Sequence, residues 1–258
     1  MSVAPCTKTG PIRIGVIIPA RDEEASVGRV VAGLLDLTFK EDRATAVAVV
    51  VCNNASTDNT AAVARSAGAS VVGQPVPGYG RACLTALAAL PEVDIVLFVD
   101  ADGQFDACDA IALIDGILAG ADLVIGSRTL GQMDEGALSV PQRFGNWLAT
   151  RMIALLWNHR FTDLGPYRAI RADSLAKLGM ASQTFGWTVE MQVKALQAGM
   201  MCTEVPVATR RRTGRSKISG TLRGIAAAGS GIIGTILELW WREQSRPDCG
   251  SELKNAAG

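Results

Sequence analysis

The sequence predicts an α/β fold in which mostly parallel strands form a central sheet flanked by helices. Two observations support this prediction. Runs of apolar, β-branched residues alternate along the chain with amphipathic or alanine-rich runs, which is typical of strands joined by crossover helices. Short polar clusters directly follow several of the apolar runs. Because the carboxyl ends of parallel strands meet at one edge of a sheet, we expect these clusters to converge on one ligand crevice.

The first 128 residues alternate between the two kinds of element. Strands are predicted at 12–19, 46–51, 71–72, 95–99 and 122–126, where β-branched and other apolar residues cluster. Helices are predicted between them at 24–35, 58–66, 80–90 and 107–118. This half of the chain therefore predicts a nucleotide-binding α/β unit.

The second half is less regular. Helices are predicted at 143–157, 173–178 and 189–197, and a strand at 202–207. A basic loop at 210–217 and a last helix at 221–242 follow. We expect a single domain over 1–242, with a ligand-binding half at 12–128, a second half at 129–220 and a disordered tail at 243–258.

Composition excludes several classes of protein. The chain has 25 Lys and Arg against 25 Asp and Glu, so its total charge does not suggest nucleic-acid binding. The six cysteines are scattered without paired metal-binding spacing, and no secretory signal precedes them, which is typical of reduced thiols in a cytoplasmic protein. The longest candidate membrane stretch, 224–237, holds only 14 uncharged residues and is too short to span a bilayer.

An acidic cluster after the predicted strand 95–99 is the sharpest chemical signal. Asp100 and Asp102 share the phase of a strand, so both carboxylates can face one point, and Gly103 allows the backbone to turn there. Gln104 is a candidate third oxygen ligand. Such hard oxygen donors suit Mg²⁺ or Mn²⁺ held together with substrate phosphates. A solvated turn after a strand is the alternative interpretation.

Seven motifs, taken in order, resemble glycosyltransferase family 2, and within it the polyprenyl (dolichyl) phosphate sugar synthase branch. The motifs are IIPARDEE at 17–24, NASTDNT at 54–60, GYGR at 78–81, VDADGQ at 99–104, GSR at 126–128, DLGPYRA at 163–169 and RRTGRSK at 211–217. The resemblance implies a GT-A, Rossmann-like fold with a mixed, mostly parallel sheet flanked by helices and a C-terminal helix.

The resemblance also implies which residues bind the nucleotide-sugar donor and its metal. The donor-binding positions are Pro19, Ala20, Arg21, Glu23, Asn53, Asp58, Gly80 and Asp100. The metal ligands are Asp100, Asp102 and Gln104. Many relatives carry Asp at the position of Asn53, so the choice between uracil and guanine stays open. Asp58 also has a structural alternative, because it can cap the helix that follows it.

A second set of residues is cationic. By resemblance, Arg128, Arg143, Arg211 and Lys217 bind the phosphate of an acceptor, and Asp102, Arg128, Arg211 and Lys217 are catalytic. Four cations exceed what a nucleoside diphosphate with a metal requires, and an acceptor phosphate explains the excess. The alternative is that the basic loop is a solvated face.

These expectations combine into one function. We expect a metal-dependent, inverting transfer of a hexose from a nucleotide sugar of the GDP-mannose or UDP-glucose type to a polyprenyl phosphate. The protein is expected to be cytoplasmic and peripheral at the inner face of the membrane, with no nucleic-acid partner. The last helix, which ends near Trp240 and Trp241, either packs on the domain or lies in the membrane surface.

Other acceptors and functions remain open at this point. A lipid monophosphate is already an anion and needs no general base, whereas an alcohol acceptor would need one. Asp163 and Glu190 are the candidates for that base, although Asp163 also fits a turn; His159 is expected to be a surface or packing residue. The alternatives are a soluble glycosyltransferase with a hydroxyl acceptor and a noncatalytic nucleotide-sugar-binding protein.

Overall fold

A seven-stranded, mixed and mostly parallel sheet forms the centre of the fold. The computed structural model describes residues 12–37, 44–213 and 222–245. The strands are β1 (Ile12–Ala20), β2 (Ala44–Asn54), β3 (Ser70–Gln74), β4 (Ile95–Phe98), β5 (Leu123–Ser127), β6 (Arg168–Arg171) and β7 (Cys202–Pro206). Their order across the sheet is β3-β2-β1-β4-β6-β5-β7, and only β6 runs against its two neighbours. The predicted fold class is confirmed.

Helices cover both faces of this sheet. They are α1 (Val27–Leu35), α2 (Thr60–Ser66), α3 (Tyr79–Ala88), α4 (Asp109–Leu118), α5 (Val140–Trp157), α6 (Ala172–Leu178), α7 (Trp187–Gln197) and α8 (Leu222–Gln244). One apolar core lies between the sheet and α1, α2 and α4, and the other lies beneath α3, α5, α6, α7 and α8. Each predicted helix is present, with ends that shift by up to three residues.

Strand β6 was not predicted. It has four residues and begins with Arg168, whose charge is unusual in the middle of a sheet. The Arg168 side chain is fully buried, and burial lowers its pKa to about 10. Its guanidinium donates hydrogen bonds to the carbonyl oxygens of Leu164, Gly165 and Thr188. Arg168 therefore fixes the turn before β6 and ties it to α7.

Helix α8 packs one side on the domain. Ile236 and Leu239 are buried in the core beneath α5 and α7, whereas Leu237 and Trp241 are exposed. The helix continues to Gln244, so the first two residues of the segment expected to be a disordered tail, 243–258, are helical. Residues 246–258 lie outside the described residues. In the described ranges, no helix has the length and apolar character needed to cross a membrane.

The start of α3 lies against the backbone of another loop. The Gly80 amide donates to the Thr184 carbonyl oxygen at 3.2 Å, and the Arg81 amide donates to the Gln183 carbonyl oxygen at 3.1 Å. A Cβ atom on Gly80 would overlap the Ser182 carbonyl group. Gly80 therefore allows the 182–184 loop to close over the start of α3.

Replacing Gly80 with Ala tests this close approach. We expect Gly80→Ala to lower the free energy of unfolding by about 1–3 kcal/mol, because backbone must move to make room for the methyl group. Urea denaturation measures the change. The control is Gly73→Ala on β3, where an added Cβ meets nothing within 4 Å. Equal stability of the two variants would contradict the close packing at Gly80.

Candidate functional site

A cleft of about 340 Å³ opens at the carboxyl ends of β1, β2 and β4. The clusters that follow these three strands meet there, as their parallel arrangement requires. The lining residues are Pro19, Ala20, Arg21, Glu23, Asn54, Pro77, Gly78, Tyr79, Ala82, Asp100, Ala101, Asp102, Thr184, Phe185 and Arg212. The convergence expected from the sequence is therefore present for Pro19, Ala20, Arg21, Glu23, Asp100 and Asp102.

Asp100 and Asp102 form an acidic pair on one wall of the cleft. The Tyr79 hydroxyl donates to Asp100 Oδ1 at 3.0 Å. Asp102 is buried, and its burial together with the charge of Asp100 raises the pKa of Asp102 to about 7. The backbone turns after the pair at Gly103, where φ is +72°. A buried and a half-buried carboxylate two residues apart favour a bound cation, because each negative charge disfavours the other.

The donor set suits a hard divalent cation. In the described part of the chain, no three acidic, His or Cys side chains lie together in a way that could hold a metal on their own. Asp100 and Asp102 supply carboxylate oxygens, and Mg²⁺ commonly takes only one or two protein carboxylates, with phosphate oxygens and water completing its shell. The acidic pair thus fits a metal that is bound together with a phosphorylated ligand.

Gln104 lies away from this wall. Its Nε2 donates to the carbonyl oxygens of Ala137 and Arg210, at 3.1 and 3.3 Å, and Gln104 is not among the described residues that line the cleft. The amide thus joins two loops beside the site. The predicted role of Gln104 as a third metal ligand stays a prediction.

Among the described residues of the basic loop, Arg212 is the cation that lines the cleft. Its guanidinium forms an ion pair with Glu23, and its Nη1 lies 3.7 Å from Asp102 Oδ2. Burial lowers the pKa of Arg212, and its buried Nε has no hydrogen-bond partner among the described residues. Sequence reasoning selected the neighbouring Arg211 instead. Three consecutive arginines gave no signal to choose among them.

Backbone hydrogen bonds fix the start of the basic loop over the cleft. The Thr213 amide donates to the Asp102 carbonyl oxygen at 3.1 Å, and the Arg210 amide donates to that of Gln104 at 2.8 Å. The exposed Arg211 turns away, and its Nε donates to the Glu135 carbonyl oxygen at 2.6 Å. Residues 214–217, including Lys217, lie outside the described residues, so the predicted role of Lys217 stays a prediction.

Arg128 approaches the acidic pair from the end of β5. It forms a bidentate ion pair with Asp163, with Nε–Oδ2 and Nη2–Oδ1 distances of 2.8 and 2.7 Å. Burial alone would lower the pKa of Arg128, but the hydrogen bonds with Asp163 raise it. The positive charge of Arg128 also favours the ionised forms of Asp100 and Asp102. Neither Arg128 nor Arg143 is among the described residues that line the cleft, and Arg143 lies exposed on α5.

The two candidate general bases are both held in structural contacts. Asp163 is fully buried, and each of its carboxylate oxygens accepts a hydrogen bond from Arg128. Glu190 accepts hydrogen bonds from the backbone amides of Ala181 and Ser182 and pairs with Lys194 at 2.8 Å. Neither carboxylate is aimed into the cleft.

Asp58 and Asn53 stabilise the turns at the edge of the cleft. Asp58 accepts hydrogen bonds from the Thr60 hydroxyl and from the backbone amides of Thr60 and Glu24, the two amides at 3.0 and 3.1 Å, and so lies beside the start of α2, where Asn59 is the N-cap. Although burial would raise the pKa of Asp58, these hydrogen bonds lower it. Asn53 Oδ1 accepts from the Ser56 amide. The expected contacts of Asp58 and Asn53 with a nucleotide stay predictions.

Asn54 and His159 acquire clear roles. Asn54, which sequence reasoning did not single out, donates from Nδ2 to the carbonyl oxygens of Gln74 and Val76 and accepts from the Gly78 amide. It thereby fixes the loop that forms one rim of the cleft.

The His159 ring packs against Phe161 with ring centroids 4.5 Å apart, which agrees with its expected packing role.

Comparisons with known proteins agree with this geometry. Residues 15–179 match the model of glycosyl transferase family 2. The chain is 36% identical over 235 residues to an uncharacterized glycosyltransferase of Mycobacterium tuberculosis, covering 88% of this chain and 96% of the relative. It is 31% identical over 228 residues to a dolichyl-phosphate hexose transferase of Haloferax volcanii, covering 87% and 94% of the two chains.

A solved structure supports the fold. Glucosyl-3-phosphoglycerate synthase from Mycobacterium tuberculosis was crystallised with Mn²⁺, UDP-glucose and phosphoglyceric acid. The superposition has a TM-score of 0.70 at 24% sequence identity and covers 95% of this chain and 84% of that one. At this identity the likeness concerns the fold alone.

Replacing Asp163 with Asn tests the ion pair at the site. We expect Asp163→Asn to lower the free energy of unfolding by about 3–5 kcal/mol, because it leaves the mostly buried Arg128 charge uncompensated. Chemical denaturation followed by circular dichroism measures the change. Glu238→Gln, which breaks the exposed Glu238–Arg242 pair on α8, is the control and should change stability by less than about 1 kcal/mol. Similar losses in both variants would refute a structural role for Asp163.

Proposed function

This chain belongs to glycosyltransferase family 2, and we propose that it transfers a hexose from a nucleotide sugar to a polyprenyl phosphate in a metal-dependent, inverting reaction. It is a glycosyltransferase, as its relatives are. The observation that carries the proposal is the arrangement of charge in the cleft. Asp100 and Asp102 face Arg212, with Arg128 behind them, so anionic groups and a divalent cation can share the space.

The donor is proposed to lie between the turn after β1 and the start of α3. Pro19, Ala20 and Arg21 line one side of this part of the cleft, and Gly78 and Tyr79 line the other. The diphosphate would then reach the acidic pair. UDP-glucose and GDP-mannose are the two candidate donors.

Asp100 and Asp102 are proposed to hold Mg²⁺ or Mn²⁺ against the donor diphosphate, with Gln104 as a further ligand once its loop rearranges. A bound divalent cation would neutralise the charge that develops on the departing nucleoside diphosphate. Tyr79 keeps Asp100 in place through its hydroxyl. Arg212 is close enough to contact a phosphate oxygen once Glu23 releases part of its guanidinium.

A phosphate acceptor agrees with the positions of the candidate bases. Asp163 and Glu190 are engaged by Arg128 and by the 181–182 backbone, so neither is free to remove a proton from an alcohol. A lipid monophosphate is an anion near neutral pH and attacks without a base. We propose that its phosphate is bound by Arg128, Arg143, Arg211 and Lys217, with Arg212 added by the geometry. The relative named dolichyl-phosphate hexose transferase supports this acceptor, and with it a peripheral position at the inner membrane face.

A donor and acceptor screen tests the proposal. Radiolabelled UDP-glucose and GDP-mannose are incubated with the protein, Mn²⁺ and extracted membrane lipids, and the label that enters chloroform is measured. We expect one of the donors to give a lipid-linked product. Asp102→Asn and addition of a chelator should both abolish product formation, because the cation would be lost.

Asp115→Asn is the matched control, since Asp115 is an exposed carboxylate on α4 outside the cleft. It should retain full activity. Transfer to 3-phosphoglycerate or another alcohol, with no lipid-linked product, would contradict the proposed acceptor. Donor binding without turnover on any acceptor would indicate a noncatalytic binding protein. Full activity in the presence of the chelator would refute the proposed requirement for a divalent metal.

Replacing Arg212 distinguishes the cleft cation from its neighbours in the basic loop. We expect Arg212→Gln to lower kcat/KM by about 100-fold, because one donor to phosphate oxygens is lost. Arg210→Gln should change it little, since Arg210 pairs with Asp106 outside the cleft. Steady-state kinetics measure both, with thermal unfolding to confirm that each variant is folded. Equal activity of the two variants would contradict the role of Arg212.

A further inference from the structure

The outward side of α5 carries large apolar side chains that remain exposed. The exposed fractions are 79% for Val140, 59% for Phe144, 52% for Trp147 and 85% for Leu155. These positions recur at spacings of three, four and eight residues, so they lie along one side of the helix. The other side, which includes Ile153, is buried in the core. We call Val140, Phe144, Trp147 and Leu155, together with the exposed Arg143 and Arg151, the outer face of α5.

The charge on this face has one sign. Between 136 and 162 the sequence contains three arginines and no acidic residue. Arg143 and Arg151 are both exposed, and the rings of Phe144 and Trp147 lie together with centroids 5.7 Å apart. Aromatic and aliphatic side chains flanked only by cations are the composition of helices that lie in the interface of an anionic bilayer.

We infer that the outer face of α5 is a membrane-contact surface that rests on an anionic lipid bilayer. Phe144, Trp147 and Leu155 insert at the boundary between headgroups and acyl chains, and Arg151 contacts lipid phosphates. This inference rests on the proposed function, because a polyprenyl phosphate acceptor is held in a bilayer. It identifies the part of the protein that meets that bilayer.

The position of α5 beside the cleft supports this role. The loop before the helix is held beside the site, since the Ala137 carbonyl oxygen accepts from Gln104, which follows the acidic pair, and the guanidinium of Arg211 lies over Gly136. The helix then begins with a capping box at Ser139. A lipid whose phosphate enters the cleft can therefore keep its chain in the bilayer under α5.

A second copy of the chain is the alternative partner that could cover the outer face of α5. In a symmetric dimer built on this face, the patch on one subunit meets the same patch on the other. Arg143 and Arg151 would then face like charges, with no acidic side chain on α5 to balance them. Anionic headgroups provide that balance, so the charge favours a bilayer over self-association.

Vesicle flotation tests the surface. The full chain is mixed with vesicles of phosphatidylcholine and phosphatidylglycerol, and the bound fraction is measured as lipid is increased. We expect the double variant Phe144→Ser/Trp147→Ser to bind about 10- to 100-fold more weakly, because two apolar anchors are lost. Arg151→Gln should weaken binding several-fold on these vesicles and leave binding to pure phosphatidylcholine unchanged.

Met201→Ser is the control, because Met201 is a similarly exposed apolar side chain that lies just before β7, at the opposite edge of the sheet from the cleft. It should bind like the wild type. Trp147→Phe gives a second measurement that preserves the apolar face. This variant should bind vesicles normally and lose part of the blue shift in tryptophan fluorescence that the wild type shows on binding.

Several outcomes would overturn the inference. One is binding of the double variant at the wild-type level. Another is a wild-type protein that does not bind vesicles but is a dimer in analytical ultracentrifugation, while the double variant is a monomer. That result would make the face a subunit interface. Transfer to polyprenyl phosphate in detergent is measured in parallel. Vesicle binding through α5 without transfer would refute the proposed acceptor while leaving the membrane-contact surface intact.

Discussion

The low exposure of two neighbouring carboxylates is the constraint on which the rest of the site depends. Asp100, which is half-buried, and Asp102, which is buried, follow a fully buried strand, and the cost of holding two negative charges there is visible in the raised pKa of Asp102. The surrounding structure offsets that cost with positive charge. Arg128 approaches from β5 and Arg212 from the basic loop, while Tyr79 donates a hydrogen bond. A divalent cation would complete the same balance of charge, so the cleft suits a ligand that brings both a cation and anionic groups.

The antiparallel strand β6 makes this balance possible. By entering between β4 and β5, it separates the acidic pair from Arg128 by one strand and places the 163–165 turn beside both. Arg168 holds that turn by donating to its carbonyl oxygens, and Asp163 in the turn then orients Arg128 through two hydrogen bonds. Arg168 is thus a positioning residue. Its buried charge stabilises a geometry that a parallel strand with apolar residues alone would not fix.

The sequence predicted well what depends on hydrophobic pattern and strand ends. The parallel strands and their helices follow from apolar periodicity, and the convergence of Glu23, Asp100 and Asp102 follows from the rule that parallel strands end at one edge. It failed where the decisive contacts join distant segments. The four residues of β6 were hidden by Arg168, whose burial is favourable only because carbonyl groups of two other segments surround it. The entry of Arg212 into the cleft depends on how the basic loop pairs with the Asp102 backbone, and the predicted role of Arg211 stays a prediction.

The cleft and the outer face of α5 both agree with our proposal of a lipid phosphate acceptor, which needs no free base. A site for an alcohol acceptor would leave one carboxylate free beside the acceptor. Of the two candidate bases, Asp163 is hydrogen-bonded to Arg128, and Glu190 accepts hydrogen bonds from the 181–182 backbone. An acceptor that carries its own negative charge removes this requirement and is attracted by the same cations that balance the acidic pair. If that acceptor is anchored in lipid, its approach is restricted to the side of the protein that meets the bilayer. The cationic and apolar helix α5, which follows the loop held by Gln104, suits that contact, because its charge and its aromatic side chains both match a lipid interface.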